Sequence, residues 1–309
     1  MTVIYGCMGL GGTWDDASVT AADIDLAERA VHAAVEIGVT WFDHADIYRN
    51  GKAELVFGEV LRRDPGLRDR VKIQTKCGIR LGESALQAYY DLSKAAILER
   101  VDASLDRLGV ERVDILLLHR PDPLMDPAEV AEAYGELHAA GKVGSLGVSN
   151  MSAAQMSLLQ RHLDEPLVAN QLEMSLHRRD WLEAGVLVNH PEGSGLSFPE
   201  GTIEYCRAHA VRIQAWGSLA QGIYSGARRG EADEAAYRLV SAMAAEKGTT
   251  AEAIVLGWLM RHPARIEPVL GTSNPDRIRA CADAEAQAAA MTNVEWYALW
   301  TAARGKSVP

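Results

Sequence analysis

The chain is short of positive charge. Its 31 lysines and arginines face 42 aspartates and glutamates, a formal net charge of −11, and no run of five basic residues occurs. A nucleic-acid groove gains affinity by neutralising phosphates with Lys and Arg. General nucleic-acid binding and docking on anionic membranes are therefore not expected, although a local basic pocket for a small phosphate is compatible with the balance. Cysteine is also scarce. Cys7, Cys77, Cys206 and Cys281 are far apart, with no C-x-x-C pair and no metal-ligand spacing. That pattern fits reduced thiols in a cytoplasmic protein better than a disulfide framework or a zinc site. Long apolar runs are missing. No stretch approaches the roughly 18 residues a membrane span needs, and the best candidate, 253–260, is interrupted by Gly257 and reads as a buried helix. The first residues lack the basic and apolar regions of a secretory signal. With no low-complexity linker and no internal repeat, one domain over 1–309 is expected.

What is present is ordinary for a folded protein: 48% hydrophobic and 24% charged residues. Short apolar runs alternate with helical patterns. The runs are Val3-Ile-Tyr, Val39-Thr-Trp-Phe, Val71-Lys-Ile-Gln-Thr, Val113-Asp-Ile-Leu-Leu-Leu, Ser145-Leu-Gly-Val, Leu167-Val-Ala-Asn, Val211-Arg-Ile-Gln-Ala and Glu267-Pro-Val-Leu. Such runs suit strands buried on both faces of a parallel sheet. Between them, Ile97, Val101, Leu105 and Leu108 share one helical face, with Ser93 as a cap and Gly109 as a stop. Asp126-Pro127 opens another helix that Gly141 closes. Thr292-Asn-Val-Glu295 has the form of a capping box. The segment 185–199 reads as a loop after the sixth strand. Eight strands alternating with helices predict an α/β fold, a (β/α)8 TIM barrel. The rival is an open doubly wound sheet. Its G-x-G-x-x-G fingerprint fails here, because the position closing Gly9-Leu-Gly11 is Trp14.

Barrel enzymes collect reactive groups at the carboxyl ends of their strands. Asp43-His44-Ala-Asp46-Ile-Tyr48 follows the second run, Lys76 the third and His119 the fourth. These residues form a working unit. A phenol titrates near 10, and the Lys76 ammonium is expected to lower the pKa of Tyr48. Asp43 offsets the cost of burying Lys76. His119 can hydrogen-bond a substrate oxygen. The unit supplies a proton beside a carbonyl pocket, which suits hydride chemistry with the hydride drawn from a cofactor. Asp43, His44, Asp46 and His119 could instead serve a metal-dependent hydrolase. That fits less well, because Lys76 already has a part in the proton-donating unit. After the eighth run, Asn274-Pro275 begins a helix whose free amides could hold an anion, with Thr272, Ser273 and Arg277 beside it.

Gly38-Val-Thr-Trp-Phe-Asp-His-Ala-Asp-Ile-Tyr48, Lys76-Cys77-Gly78, Leu116-Leu-Leu-His119-Arg-Pro-Asp122, Gly141-Lys-Val-Gly-Ser-Leu-Gly-Val-Ser-Asn150 and Asn170-Gln171 occur in that order. Together they resemble the aldo-keto reductase family, from Gly6 to the end of the chain, and within it the bacterial YdhF-like oxidoreductase branch. The resemblance implies a nicotinamide cofactor, NADPH rather than NADH, bound without a Rossmann domain. It implies reduction of a small aldehyde or ketone to an alcohol, with hydride from nicotinamide C4. The tetrad would be Asp43, Tyr48, Lys76 and His119, with Tyr48 the general acid. Gly6, Cys7 and Met8 would lie beside the nicotinamide ribose, with Asp43 alongside. Ser149, Asn150 and Gln171 would meet the carboxamide, and Trp216 would stack on the ring. Ser218, Leu219 and Gly222 would cross the pyrophosphate. Gly271, Thr272, Ser273 and Arg277 would hold the adenosine 2′-phosphate. Many members carry a lysine where this chain has Gly271, so the phosphate preference rests on Arg277. Some relatives act instead as nicotinamide-binding sensors or regulatory subunits with little turnover. Trp14, Ile47, Arg120 and the 185–199 segment are expected to shape the substrate pocket; Arg120 could attract a carboxylate or phosphate, or pair with Asp122, which is the preferred reading.

Overall fold

The computed structural model describes residues 3–82, 87–226 and 233–309. Each apolar run becomes one stave of a closed barrel. The staves are β1 (Ile4–Gly6), β2 (Trp41–Asp43), β3 (Lys72–Cys77), β4 (Val113–Leu118), β5 (Val143–Ser149), β6 (Ala169–Glu173), β7 (Arg212–Trp216) and β8 (Glu267–Leu270). Consecutive staves pair in parallel, and β1 pairs with β8, so the sheet has no edge. Closure removes the open doubly wound alternative. Gly6 lies at the seam, where a Cβ would sit 2.8 Å from Leu270 O. A short antiparallel pair, Ile79–Arg80 with Tyr89–Tyr90, follows β3.

The helices are α1 (Ala21–Glu36), α2 (Lys52–Arg63), α3 (Lys94–Leu108), α4 (Pro127–Ala139), α5 (Ala153–Gln160), α6 (Asp180–Val186), α7 (Thr202–Ala208), α8 (Glu234–Glu246), α9 (Ala251–Met260), α10 (Pro275–Arg279), α11 (Ala284–Ala290) and α12 (Asn293–Arg304). The expected signals operate. Ile97, Val101, Leu105 and Leu108 are all buried against the barrel, Ser93 accepts the Ala96 amide, and Gly109 adopts φ +63°. Asp126 caps α4, and Thr292 and Glu295 cap α12 reciprocally. Every residue of 253–260 is buried in α9, as an all-round apolar helix must be. No helix among the described residues is long and apolar enough to cross a membrane.

Two expectations need correction. Most staves extend one to three residues further toward their carboxyl ends than the apolar runs suggest. Hydrophobicity falls where the chemistry begins, but the backbone ladder continues through the polar residues. Asp43, Lys76, Ser149, Gln171 and Trp216 are thus strand residues, and their register is set by hydrogen bonds. Gly6 pairs with Asp43, Asp43 with Gln74, Ser149 with Gln171, and Gln171 with Gln214. The 185–199 segment follows β6 as expected but is not all loop. Its first two residues finish α6, and Pro191–Gly195 forms a 3-10 turn.

Candidate active site

The carboxyl ends of β2 and β3 bring Asp43 and Lys76 together inside the barrel. Lys76 is fully buried. Its Nζ donates to both Asp43 oxygens at 2.7 Å, to the His44 carbonyl at 2.8 Å and to the Tyr48 hydroxyl at 3.0 Å. Burial opposes the ammonium charge, but Asp43 and Tyr48 outweigh it and hold the Lys76 pKa above its ordinary value. Asp43 also accepts Gln74 Nε2 at 2.6 Å and Gln171 Nε2 at 3.0 Å. Gln74 and Gln214 exchange two amide hydrogen bonds, and Gln171 donates to Gln214 Oε1. A buried amide raft therefore supports the carboxylate. Gln74 and Gln214 were missed from sequence. Each stands two positions before a site residue, Lys76 and Trp216, so the period-2 alternation of a strand carried the signal.

Tyr48 and His119 face each other edge to face, with ring centroids 5.9 Å apart. The ionisation of Tyr48 differs from expectation. Burial raises its pKa above 10, and the adjacent Lys76 offsets this only in part. The phenol stays protonated at neutral pH. Burial, then Lys76 and Arg120, push His119 down to about 2, so the imidazole is neutral. Its Nδ1 is buried without a hydrogen-bond partner among the described residues.

A cleft of about 800 Å³ opens above these groups. Asp43, Tyr48 and His119 form its floor, while Lys76 lies beneath. Gly6 and Met8 line one side. Cys7 does not reach the cleft. It is fully buried and its thiol donates to Tyr5 O. Ser149, Asn150, Gln171 and Trp216 line the opposite wall. Trp216 Nε1 donates to Asn150 Oδ1 at 3.2 Å, and Asn150 Nδ2 to Ser149 Oγ at 2.8 Å. The Gln171 amide nitrogen is turned to Asp43 and Gln214, which frees its carbonyl oxygen as an acceptor. The loop bearing Ser218, Leu219 and Gly222 and the segment Gly271, Thr272, Ser273 and Arg277 complete the cleft. Gly9, Arg49, Gln221 and Glu252 also line it and carried no sequence signal of their own.

Three further expectations change. The first amides of α10 are not free, because Asn274 Oδ1 accepts those of Asp276 and Arg277. Among the described residues the Arg277 guanidinium and the Ser273 hydroxyl have no hydrogen-bond partner there. Arg120 is not paired with Asp122, which caps the backbone amides of Leu92 and Leu124 instead. The Arg120 guanidinium lies 5.9 Å from the Trp216 ring centroid. Finally, Trp14, Ile47 and Arg120 line the cleft, but the 185–199 segment does not. Its last residues border a separate pocket of about 200 Å³ beside Asn150 and Glu173.

The four residues of the metal reading do not converge. Asp43 is committed to Lys76. His44 packs edge-on against Phe57, 4.6 Å between centroids, and burial pushes it down to about 3. Asp46 turns toward Arg100, 3.7 Å away, and burial pushes it up to about 7. No group of three or more potential ligands occurs among the described residues.

An ammonium-linked phenol and a neutral imidazole at the carboxyl mouth of a closed parallel barrel define the class, a barrel oxidoreductase. The chain belongs to the aldo/keto reductase family, whose model matches residues 2–295. It is 38% identical to a 6-dehydroglucose reductase of Agrobacterium fabrum, over 99% of this chain and 95% of that protein. It is 35% identical to the oxidoreductase YdhF of Escherichia coli, over 89% of this chain and 86% of the relative. Among solved structures, an aldo/keto reductase from Klebsiella pneumoniae in complex with NADP and acetate is similar, with a TM-score of 0.74 and 25% identity. That match covers 100% of this chain and 92% of the other.

Proposed function

We propose that the protein is an NADPH-dependent carbonyl reductase, converting an aldehyde or ketone to an alcohol. The observation that carries this reading is the Tyr48 hydroxyl, held 3.0 Å from the buried Lys76 amine at the floor of a cofactor-sized cleft. The residues present fit a nicotinamide. Gln171 offers its carbonyl oxygen to a carboxamide with Asn150 beside it, Trp216 offers a flat anchored ring, and Arg277 offers a guanidinium with no partner among the described residues for a 2′-phosphate. Relatives bound to NADP or NADPH support the same choice. When bound, the nicotinamide supplies the hydride. Tyr48 donates its proton to the carbonyl oxygen, His119 hydrogen-bonds that oxygen as a neutral donor, and Lys76 stabilises the phenolate left behind. Asp43 and the amide raft hold Lys76 in place. The decisive assay is NADPH oxidation against a panel of aldehydes, with turnover of order 1 per second expected. Oxidation limited to one equivalent of bound NADPH would instead identify a sensor.

Two expected results follow from the ionisations and from Arg277. Because burial raises Tyr48 above 10, the general acid is present at all lower pH values. Reduction should hold up to about pH 10 and fall above it, once cofactor stability is controlled. Alcohol oxidation needs the phenolate and should rise across the same range. A reductive rate that falls with an apparent pKa near 7 overturns the assignment. For the cofactor, Arg277→Ala should raise the KM for NADPH about ten-fold or more through loss of a charge-assisted phosphate contact. The KM for NADH should change little. Equal changes for both would remove the 2′-phosphate from Arg277.

A further inference from the structure

Arg49 and Arg120 have no part in the proton-transfer set, yet both face the cleft. Each directly follows a residue aimed at the carbonyl, Arg49 after Tyr48 and Arg120 after His119. Both are half-buried. A half-buried guanidinium loses hydration and ordinarily finds a carboxylate in return. Among the described residues most other half-buried arginines follow that rule. The half-buried Arg80, Arg100, Arg107, Arg179, Arg212 and Arg304 each face an Asp or Glu within 4 Å. Arg68 donates to two backbone carbonyls instead.

The two cleft arginines depart from it. Arg49 Nε donates to Met8 O at 3.1 Å, and its guanidinium lies 5.4 Å from the Trp14 ring centroid. Arg120 has the Trp216 ring and no hydrogen-bond acceptor among the described residues. Among the described residues no carboxylate pairs with either guanidinium, which sets these two apart from the other half-buried arginines. Among the described residues the carboxylates lining it are Asp43, committed to Lys76, and Glu252 on α9, which forms no ion pair with either arginine.

We propose that Arg49 and Arg120 form a subsite for an oxyanion carried by the substrate, so that the carbonyl compounds reduced are acidic ones bearing a carboxylate or phosphate. The inference rests on the carbonyl-reductase reading and names its substrate class. The guanidinium fork matches both oxyanions geometrically, and the aromatic rings hold the two forks while leaving their outer N–H groups open.

The test compares kcat/KM within matched pairs: 4-oxobutanoate against butanal, and D-glyceraldehyde 3-phosphate against D-glyceraldehyde. Wild type, Arg49→Gln and Arg120→Gln are measured at low and high ionic strength. The acidic member of at least one pair should be preferred by about ten-fold or more, the size expected of charge-assisted bonds. Whichever pair shows it names carboxylate or phosphate. In the Gln variants the preference should collapse toward one. In wild type, the acidic rate alone should fall with salt. Equal rates within both pairs overturn the proposal, as does a preference that survives in both variants. D-glyceraldehyde matching its phosphate while exceeding butanal also overturns it, since the arginines would then serve neutral hydroxyls. If no aldehyde oxidises NADPH, the reductase reading fails separately. Calorimetric binding of 4-hydroxybutanoate to the protein then decides: loss of binding in Arg120→Gln sustains the subsite, and no difference between wild type and variant removes it.

Discussion

Replacing Tyr48 by phenylalanine is expected to lower kcat by about 10²- to 10⁴-fold, the contribution of a positioned general acid. The substitution keeps the ring, its edge-to-face contact with His119 and the cleft wall. Only the hydroxyl goes. Lys76 loses one of its partners but keeps both Asp43 oxygens and the His44 carbonyl, so the fold and NADPH affinity should be preserved. Rapid-mixing kinetics with NADPH and the best aldehyde, together with NADPH binding by fluorescence, check both halves. Turnover within a few-fold of wild type would reject the proton-donor role. Loss of cofactor binding would show that the effect is structural.

Lys76→Met should be the more damaging change, because it acts on stability and on turnover together. The side chain is fully buried and its ammonium is the counter-ion of a carboxylate that is 2% exposed. Truncating the charge leaves Asp43 with the Gln74 and Gln171 amides alone. Removing one partner of a buried pair costs about 3–5 kcal/mol, and denaturant unfolding should report a loss of that size. Turnover should fall as well, because the Tyr48 phenolate loses its stabilising charge. Combining Lys76→Met with Asp43→Asn separates the two effects. The double variant should recover much of the lost stability, since the orphaned charge is gone, and none of the turnover. Recovery of turnover would mean that Lys76 serves the fold only.

The barrel was legible because its determinants are local. Eight apolar runs of suitable length alternating with helical patterns, some with a recognisable cap such as Ser93 or Asp126, leave few alternatives. The failed glycine spacing at Gly9-Leu-Gly11 pointed away from the open sheet. Asp43, Tyr48, Lys76 and His119 were legible because strand ends in a barrel converge on one mouth, so sequence order translates directly into proximity. The amide raft was not, since Gln74 and Gln214 are 140 residues apart and only barrel closure makes them hydrogen-bond partners. The partner of Arg120 was misread for a related reason. Nearness in sequence suggested Asp122, but the backbone amides of Leu92 and Leu124 claim that carboxylate.

Tyr48 marks the boundary between the two kinds of information. The sequence by itself determined which residues meet at the mouth, because strand periodicity and strand order decide that. The charge states were decided by the tertiary structure alone. Whether Lys76 lowers Tyr48 or burial raises it depends on how much water the closed barrel excludes, and no local pattern records that. The same holds for Arg49 and Arg120. That neither pairs with a carboxylate among the described residues depends on where distant acidic side chains point, and that exists only once the chain has folded.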